Sequence, residues 1–334
     1  MVARLQQVIV FAWLGSLLGW MAFWWHRSLL ATCLGVAALL TVHAAVLAIE
    51  FGFARHVNRR DSTTPPPSLP QMLRAWLAES VIAPRVFCWY QPFRRNAIPD
   101  ALHCDRRRGA VLIHGFLCNR GFWQPWLHEL EHRKRVFVAL TLEPVFGSID
   151  HYVDEIDRAI GRVATATGQA PLLISHSMGG LAARAWLRDA IDPSRVHRIV
   201  TLGTPHAGTS IAHVGQSVNG RQMRPGGDWL ANMTPRAGEA QRAPFTCWYS
   251  NCDNIVFPAS SATLAGADNR LAGGLAHVQL AFDATVMQQT LALLDADDRD
   301  ARVQDEQAIS ASDPSPVETR RRPAPSAATG RRRP

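Results

Sequence analysis

One serine in the sequence has the surroundings of a nucleophile: Ser177, in the run Leu172-Leu173-Ile174-Ser175-His176-Ser177-Met178-Gly179-Gly180. An apolar, β-rich stretch leads into it and a helical pattern (Leu181, Ala182, Ala185, Trp186) leads away. A strand that turns sharply into a helix lifts a serine hydroxyl above the sheet edge, where it can attack a carbonyl. Such a turn brings together the backbones two positions before and two after the serine. Both positions must be small, and here they are Ser175 and Gly179. Ser175 stands where a G-x-S-x-G turn has its first glycine, a mild steric departure. His176 adjoins the serine, but neighbours on a sharp turn point apart, so it is not expected to be the base.

A serine hydroxyl is a poor nucleophile near neutral pH without a base. In strand-turn-helix serine sites the partners follow in the order Ser, acid, His. Past Asp253 the sequence holds one histidine, His277, ahead of a helical run from Phe282 to Leu294. Phe245 to Ser250 reads as a strand, and Asp253 follows it closely. An acid there can hold the imidazole in one tautomer. Asp268 is the alternative acid, further from any expected strand. Acyl transfer also needs donors for the oxyanion. The stretch Val111-Leu112-Ile113-His114-Gly115-Phe116 ends a strand in a His-Gly step, so the backbone N–H groups of Phe116 and Met178 are the expected pair. His114 reads as a scaffold hydrogen-bonder. Cys118, Asn119 and Arg120 are placed either to touch substrate or to brace their loop. Trp229 is a further candidate substrate contact.

Strand-like runs at Ala110 to His114, Val136 to Leu142, Leu172 to His176 and Val196 to Leu202 alternate with helical patterns such as Ile149 to Thr167 and Met178 to Ala190. The alternation predicts a mostly parallel sheet with helices on both faces. Residues 206–244, rich in Gly, Asn, Gln and Arg, interrupt it. An insertion of that length is more often a functional cap than a structureless loop. The expected organisation is an N-terminal hairpin and flank over 1–60, a linker and pre-domain segment over 61–108, a catalytic domain over 109–298 and a disordered tail over 299–334. The linker contains three consecutive prolines, Pro65 to Pro67, which favour an extended spacer.

The N-terminus carries two apolar runs, Val8 to Trp25 and Ser28 to Ile49, broken by His26 and Arg27. Eighteen helical residues reach roughly 27 Å, close to the hydrocarbon thickness of a bilayer. The pair reads as a hairpin that crosses and returns, with Trp20, Trp24 and Trp25 at the interface. A cleaved signal peptide fits less well, because the first run is long and a second follows at once. Arg4, Arg55, Arg59 and Arg60 flank the runs and only Arg27 lies between them. The positive-inside bias then places both ends, and the catalytic domain, in the cytoplasm.

The net charge of +8 comes almost wholly from arginine, Lys134 being the only lysine. This bias is what a GC-rich genome produces, and with the hairpin it points to a bacterial inner membrane. Six cysteines in 334 residues form neither a disulfide framework nor a zinc pattern, though Cys247 and Cys252 are near enough in sequence to pair in an oxidising compartment. Arginine runs at 320–322 and 331–333 lack interleaved aromatics. Nucleic acid is therefore not an expected partner; the runs either add contact with anionic lipid or form a solvated, disordered end.

These residues resemble the bacterial lipase and esterase families of the α/β-hydrolase superfamily. The resemblance rests on His114-Gly115-Phe116, on 175–180, on Thr201-Leu202-Gly203-Thr204-Pro205-His206-Ala207-Gly208-Thr209 and on Asp253-Asn254-Ile255-Val256, and covers roughly Gly109 to Asp295. The third stretch is similar to a run typical of triacylglycerol lipases. The resemblance implies the α/β-hydrolase fold, a lid after the third stretch, and ester hydrolysis without a cofactor. It also implies Ser177, Asp253 and His277 as a triad, with Phe116 and Met178 as oxyanion donors. Some secreted lipases of this kind hold calcium, but its carboxylates have no match here and no metal is expected. The expected substrate is a lipid or other hydrophobic acyl ester. Acyl transfer on the same triad, or a membrane adaptor that has kept the fold and lost catalysis, are the other readings.

Overall fold

The structure, a computed structural model, describes residues 1–233 and 244–295; the expected tail lies outside the described residues. Its centre is a six-stranded, wholly parallel sheet in the order β2-β1-β3-β4-β5-β6. The strands are β1 (Ala110–Ile113), β2 (Phe137–Ala139), β3 (Leu172–His176), β4 (Arg198–Leu202), β5 (Phe245–Tyr249) and β6 (Asp268–Leu271). Ten helices accompany them among the named elements: α1 (Val2–Trp24), α2 (Leu29–Asn58), α3 (Leu69–Arg85), α4 (Gln91–Phe93), α5 (Gln124–His132), α6 (Val153–Thr167), α7 (Met178–Asp189), α8 (Val218–Gln222), α9 (Asp228–Ala231) and α10 (His277–Phe282). A further helix covers 284–295.

Side chains on a strand alternate between faces. In β1, Val111 and Ile113 join one apolar cluster while Ala110 and Leu112 join another. In β3, Leu173 lies in the first cluster, and Leu172 and Ile174 in the second. The first cluster is covered by Ile156, Ile160 and Val163 of α6 and by Leu181 and Trp186 of α7. The second is covered by Trp126, Leu127 and Leu130 of α5 and by Leu291 and Leu294. Central strands buried on both faces read as continuous apolar runs, which is why β1 and β3 are visible in the sequence. β6 is not: as an edge strand it is mostly exposed and polar.

α1 and α2 form an antiparallel pair whose flanks expose Phe11, Leu18, Leu34 and Val46, among others. At about 1.5 Å per residue, 23 and 30 residues give lengths of ~34 and ~45 Å, enough to cross a bilayer. Ser28 caps α2 by accepting from the Ala31 N–H. The Trp20 indole lies across Gly35, whose missing Cβ makes room for it. The open ends of the pair, not its turn, rest on the sheet domain: Val2, Ala3 and Gln6 are buried at one end, and Phe51, Ala54 and Asn58 at the other. α3 begins with a capping box between Ser68 and Gln71 and packs between α2 and α10. The expected hairpin is therefore longer than its apolar runs, because each helix continues into polar residues that meet the domain.

Cys247 and Cys252 are both buried free thiols and form no disulfide. The described part of the insertion, 206–233, folds as short helical turns docked by buried polar contacts. Arg184 donates to the carbonyls of His206 and Met233, and Asn219 donates to that of Val145.

Trp126 packs wholly buried and donates its indole N–H to the Ala281 carbonyl at 2.7 Å, joining α5 to α10. Trp126→Ala should lower unfolding stability by about 3–5 kcal/mol, read from the shift in denaturation midpoint. A loss under about 1 kcal/mol would contradict this packing.

Candidate active site

Ser177 sits at the turn from β3 into α7 with φ 55° and ψ −128°, left-handed backbone that L-residues adopt only at a cost. Three hydrogen bonds hold it there. Its N–H donates to the Leu202 carbonyl at 2.9 Å, and its own carbonyl accepts from the Gly180 N–H at 3.0 Å and the Thr204 hydroxyl at 2.9 Å. The small neighbours serve this geometry. A Cβ on Gly179 would strike the Ile113 and His114 carbonyls, and one on Gly115 would come within 2.8 Å of the Ser177 Cβ. Ser175 fits where glycine is usual because its hydroxyl turns away and donates to the Val200 carbonyl.

The loops after β5 and β6 bring the other two residues to the serine. The Ser177 hydroxyl donates to His277 Nε2 at 3.0 Å, and His277 Nδ1–H donates to Asp253 Oδ2 at 2.9 Å. Asp253 Oδ1 is held by the N–H groups of Ile255 and Val256, so the carboxylate cannot rotate away. Burial alone would lower the His277 pKa, but attraction to Asp253 outweighs it and raises the pKa above 6.5. Asp268, the alternative acid, lies in β6, where it is exposed and pairs with Arg270.

The Phe116 and Met178 N–H groups donate to no protein acceptor among the described residues. His114 holds the loop between them: Nδ1–H donates to the Gly115 carbonyl and Nε2 accepts from the Leu142 N–H. Complete burial pushes its pKa down to about 4, so it stays neutral. Leu117 and Phe146 are exposed beside Phe116, whose ring meets Phe146 edge-on at 5.9 Å.

The structure does not bring Cys118, Arg120 or Trp229 into this cluster. Cys118 is buried against Gln91, and burial pushes its thiol up to about 12. Arg120 donates to the carbonyls of Ala139, Arg95 and Ile98 and pairs with Asp100, so it braces its loop. The Trp229 indole N–H is taken by Asp150. Cys118 and Arg120 were reachable from sequence only as residues near a motif and Trp229 only as an apolar residue of the insertion, and neither contact partner nor direction is encoded there.

Other residues around the site carry no motif. Gly203, at φ 56°, packs against the Asp253–His277 pair, where a Cβ would lie 3.1 Å from Asp253 Oδ2. Glu79 of α3 is 2% exposed and accepts from the N–H groups of Val278 and Gln279, both at 2.9 Å. Burial pushes its carboxyl up to about 7 against those two donors. Glu50 of α2 accepts from Asn254, whose side-chain oxygen accepts the His277 N–H.

The raised His277 pKa is checked by NMR. Its imidazole should titrate with a midpoint above 6.5, protonated below and neutral above, and Asp253→Asn should lower that midpoint. A midpoint below 6.5 in the unaltered protein would show that desolvation prevails over the carboxylate.

A family model described as a PGAP1-like alpha/beta domain matches residues 150–223, which include Ser177. No curated protein matches the sequence. The mature form of the Bacillus licheniformis lipase BlEst2 is similar in structure, with TM-score 0.52 and 16% identity over 57% of this chain and 94% of that one. Its propeptide form gives TM-score 0.51 and 16% identity over 59% of this chain and 52% of that one. The strand order, the serine turn between β3 and α7 and this likeness agree: the fold of the chain is that of the α/β-hydrolases.

Proposed function

We propose that the chain is a membrane-anchored serine hydrolase that cleaves lipid or other hydrophobic acyl esters through an acyl-enzyme on Ser177. The observation that carries this reading is the continuous hydrogen-bonded chain from Ser177 Oγ through His277 to Asp253, at 3.0 and 2.9 Å. As the Ser177 oxygen attacks the ester carbonyl, His277 Nε2 takes its proton and Asp253 stabilises the imidazolium. The carbonyl oxygen becomes an oxyanion within reach of the Phe116 and Met178 amides. Collapse breaks the ester C–O bond, and His277 returns the proton to the departing alcohol. Water then repeats the sequence on the acyl-enzyme, releasing the carboxylic acid and restoring Ser177.

The apolar side chains of Leu117, Phe116 and Phe146 beside the donors favour a hydrophobic acyl group. The likeness in fold to a lipase is consistent with that preference. Membrane residence is supported by the length and apolar surface of α1 and α2. Because the open ends of that pair rest on the loops after β1 and β5, the serine would face the bilayer surface, where such esters partition. The arginine distribution favours a cytoplasmic side in an inner membrane.

Full-length protein in detergent, tested on p-nitrophenyl esters of rising chain length, should turn over the longer acyl chains, and a fluorophosphonate probe should label it. Ser177→Ala should lose the labelling and reduce turnover by about 10³-fold or more. Restriction to acetyl and butyryl esters would remove the lipid assignment, and equal activity in Ser177→Ala would remove the mechanism. Separately, kcat/KM should fall as pH drops through the raised His277 pKa, with a midpoint above 6.5. An acid limb centred below 6.5 would count against His277 as the base.

A further inference from the structure

The backbone of His277 is held on every side, and much of the hold comes from the N-terminal helices. Its N–H donates to Asn254 Oδ1 at 3.1 Å, and Asn254 in turn donates to Glu50 Oε2 of α2 at 2.8 Å. Its carbonyl accepts from His176 Nε2 at 3.2 Å. The next two amides, of Val278 and Gln279, donate one to each oxygen of Glu79 on α3. The same end of α2 also grips the loop that carries Asp253. Asn58 accepts from the Ala259 N–H and donates to the Asn251 carbonyl, and Asp61 accepts from the Ser260 N–H.

α1 does the equivalent for the oxyanion loop. The Gln6 side chain donates to the Leu117 carbonyl at 3.2 Å and to Gln91 Oε1 at 3.3 Å, and accepts from Asn119. Gln91 Oε1 also accepts the Asn119 N–H. Polar side chains buried this deeply are costly unless fully partnered. Here they are partnered by one another and by the backbone of the oxyanion loop.

We propose that the N-terminal helices are part of the catalytic apparatus, with Glu79 and Glu50 as positioning residues that hold the His277 imidazole and Gln6 as the residue that holds the oxyanion loop. The inference rests on the serine hydrolase reading. It goes beyond anchoring, because a tether would need no contact with the acid, base and oxyanion loops. When ionised, which for Glu79 means above about pH 7, the carboxylates of Glu79 and Glu50 also add negative charge near the imidazole beyond that of Asp253, which favours the imidazolium formed during attack. The titratable groups facing His277 are Asp253 and, beside it, Cys252 from the loop after β5; Glu50 from α2; Glu79 from α3; and His176 from the end of β3, which is neutral through burial.

The test uses full-length protein in nanodiscs with Glu79→Gln, Glu50→Gln and Gln6→Ala, each checked for an unchanged melting midpoint. Rates on a long-chain p-nitrophenyl ester, fluorophosphonate labelling of Ser177 and the pH profile of kcat/KM are measured. Glu79→Gln should lower kcat about ten- to a hundredfold with KM nearly unchanged, as misplacement of a base does. It should also move the acid limb down, by an amount set by the fraction of Glu79 ionised at that pH, since an anion near the imidazole is lost. Glu79→Asp should recover the limb, because the charge returns, and only part of kcat, because the shorter side chain cannot reach both amides. Glu50→Gln should give a smaller change of the same sign, and it decides the matter if Glu79→Gln does not fold. Gln6→Ala should lower kcat without moving the limb. A labelled, active wild type whose variants keep its kcat and pH profile overturns this inference alone. A wild type that neither labels nor turns over ester overturns the hydrolase reading and this inference with it.

Discussion

The left-handed backbone at Ser177 is the constraint from which the site is built. A non-glycine residue held at φ 55° costs about 1–3 kcal/mol. It persists because β4, the loop after it and the first turn of α7 supply three hydrogen bonds to its peptide groups. The same twist points the hydroxyl away from the sheet and leaves the Met178 amide at the helix start without an intrahelical partner. The bend also demands room, and Gly179 and Gly115 provide it where the β1 loop passes beneath. Relaxing the turn would therefore withdraw the Ser177 hydroxyl and the Met178 amide, the proposed nucleophile and oxyanion donor, together.

A second layer keeps the imidazole opposite that hydroxyl. Short loops after β5 and β6 bring Asp253 and His277 to the same end of the sheet, but loops alone are compliant. The rigidity comes from elements packed around them. Ser250 accepts the N–H groups of both Cys252 and Leu275, tying the loop of Asp253 to that of His277. Asn251 accepts the Gly274 N–H and donates to the Pro65 carbonyl, so the proline-rich stretch is bound into the site instead of acting as a free spacer. An apolar cluster of Leu47, Phe51, Met72, Ala75, Cys252 and Ala276 fills the space between α2, α3 and these loops. The N-terminal helices thus meet the domain through a packed and hydrogen-bonded interface.

The contrast between legible and illegible parts follows from interaction range. β1 and β3 are buried on both faces and show as unbroken apolar runs, whereas β6, a polar edge strand, leaves no such trace. α6 shows its period in Ile156, Ile160 and Val163, because one stripe must face the sheet. The helix expected over Phe282 to Leu294 is present at 284–295, whereas the separate short helix before it, α10, left no sequence signal; there Glu79 accepts the Val278 and Gln279 amides from across the fold. Arg120 is a candidate substrate contact by position alone. Its carbonyl partners, which settle its direction, come from separate strands and turns.

Local chemistry written along the chain was enough to mark the strand-turn-helix bend at Ser177, the alternating sheet and helix pattern, and two apolar helices of membrane-crossing length. Such features depend on residues within a few positions of one another, where steric and hydrophobic periodicity act directly. Only the tertiary structure decided that Glu79 would meet Val278 across 199 residues, that Glu50 would reach Asn254 across 204, and that Gln6 would reach Leu117 across 111. Those pairings arise when whole helices dock. A buried carboxylate or amide then takes whichever backbone donors or acceptors the docking presents, and no local pattern marks that partner beforehand.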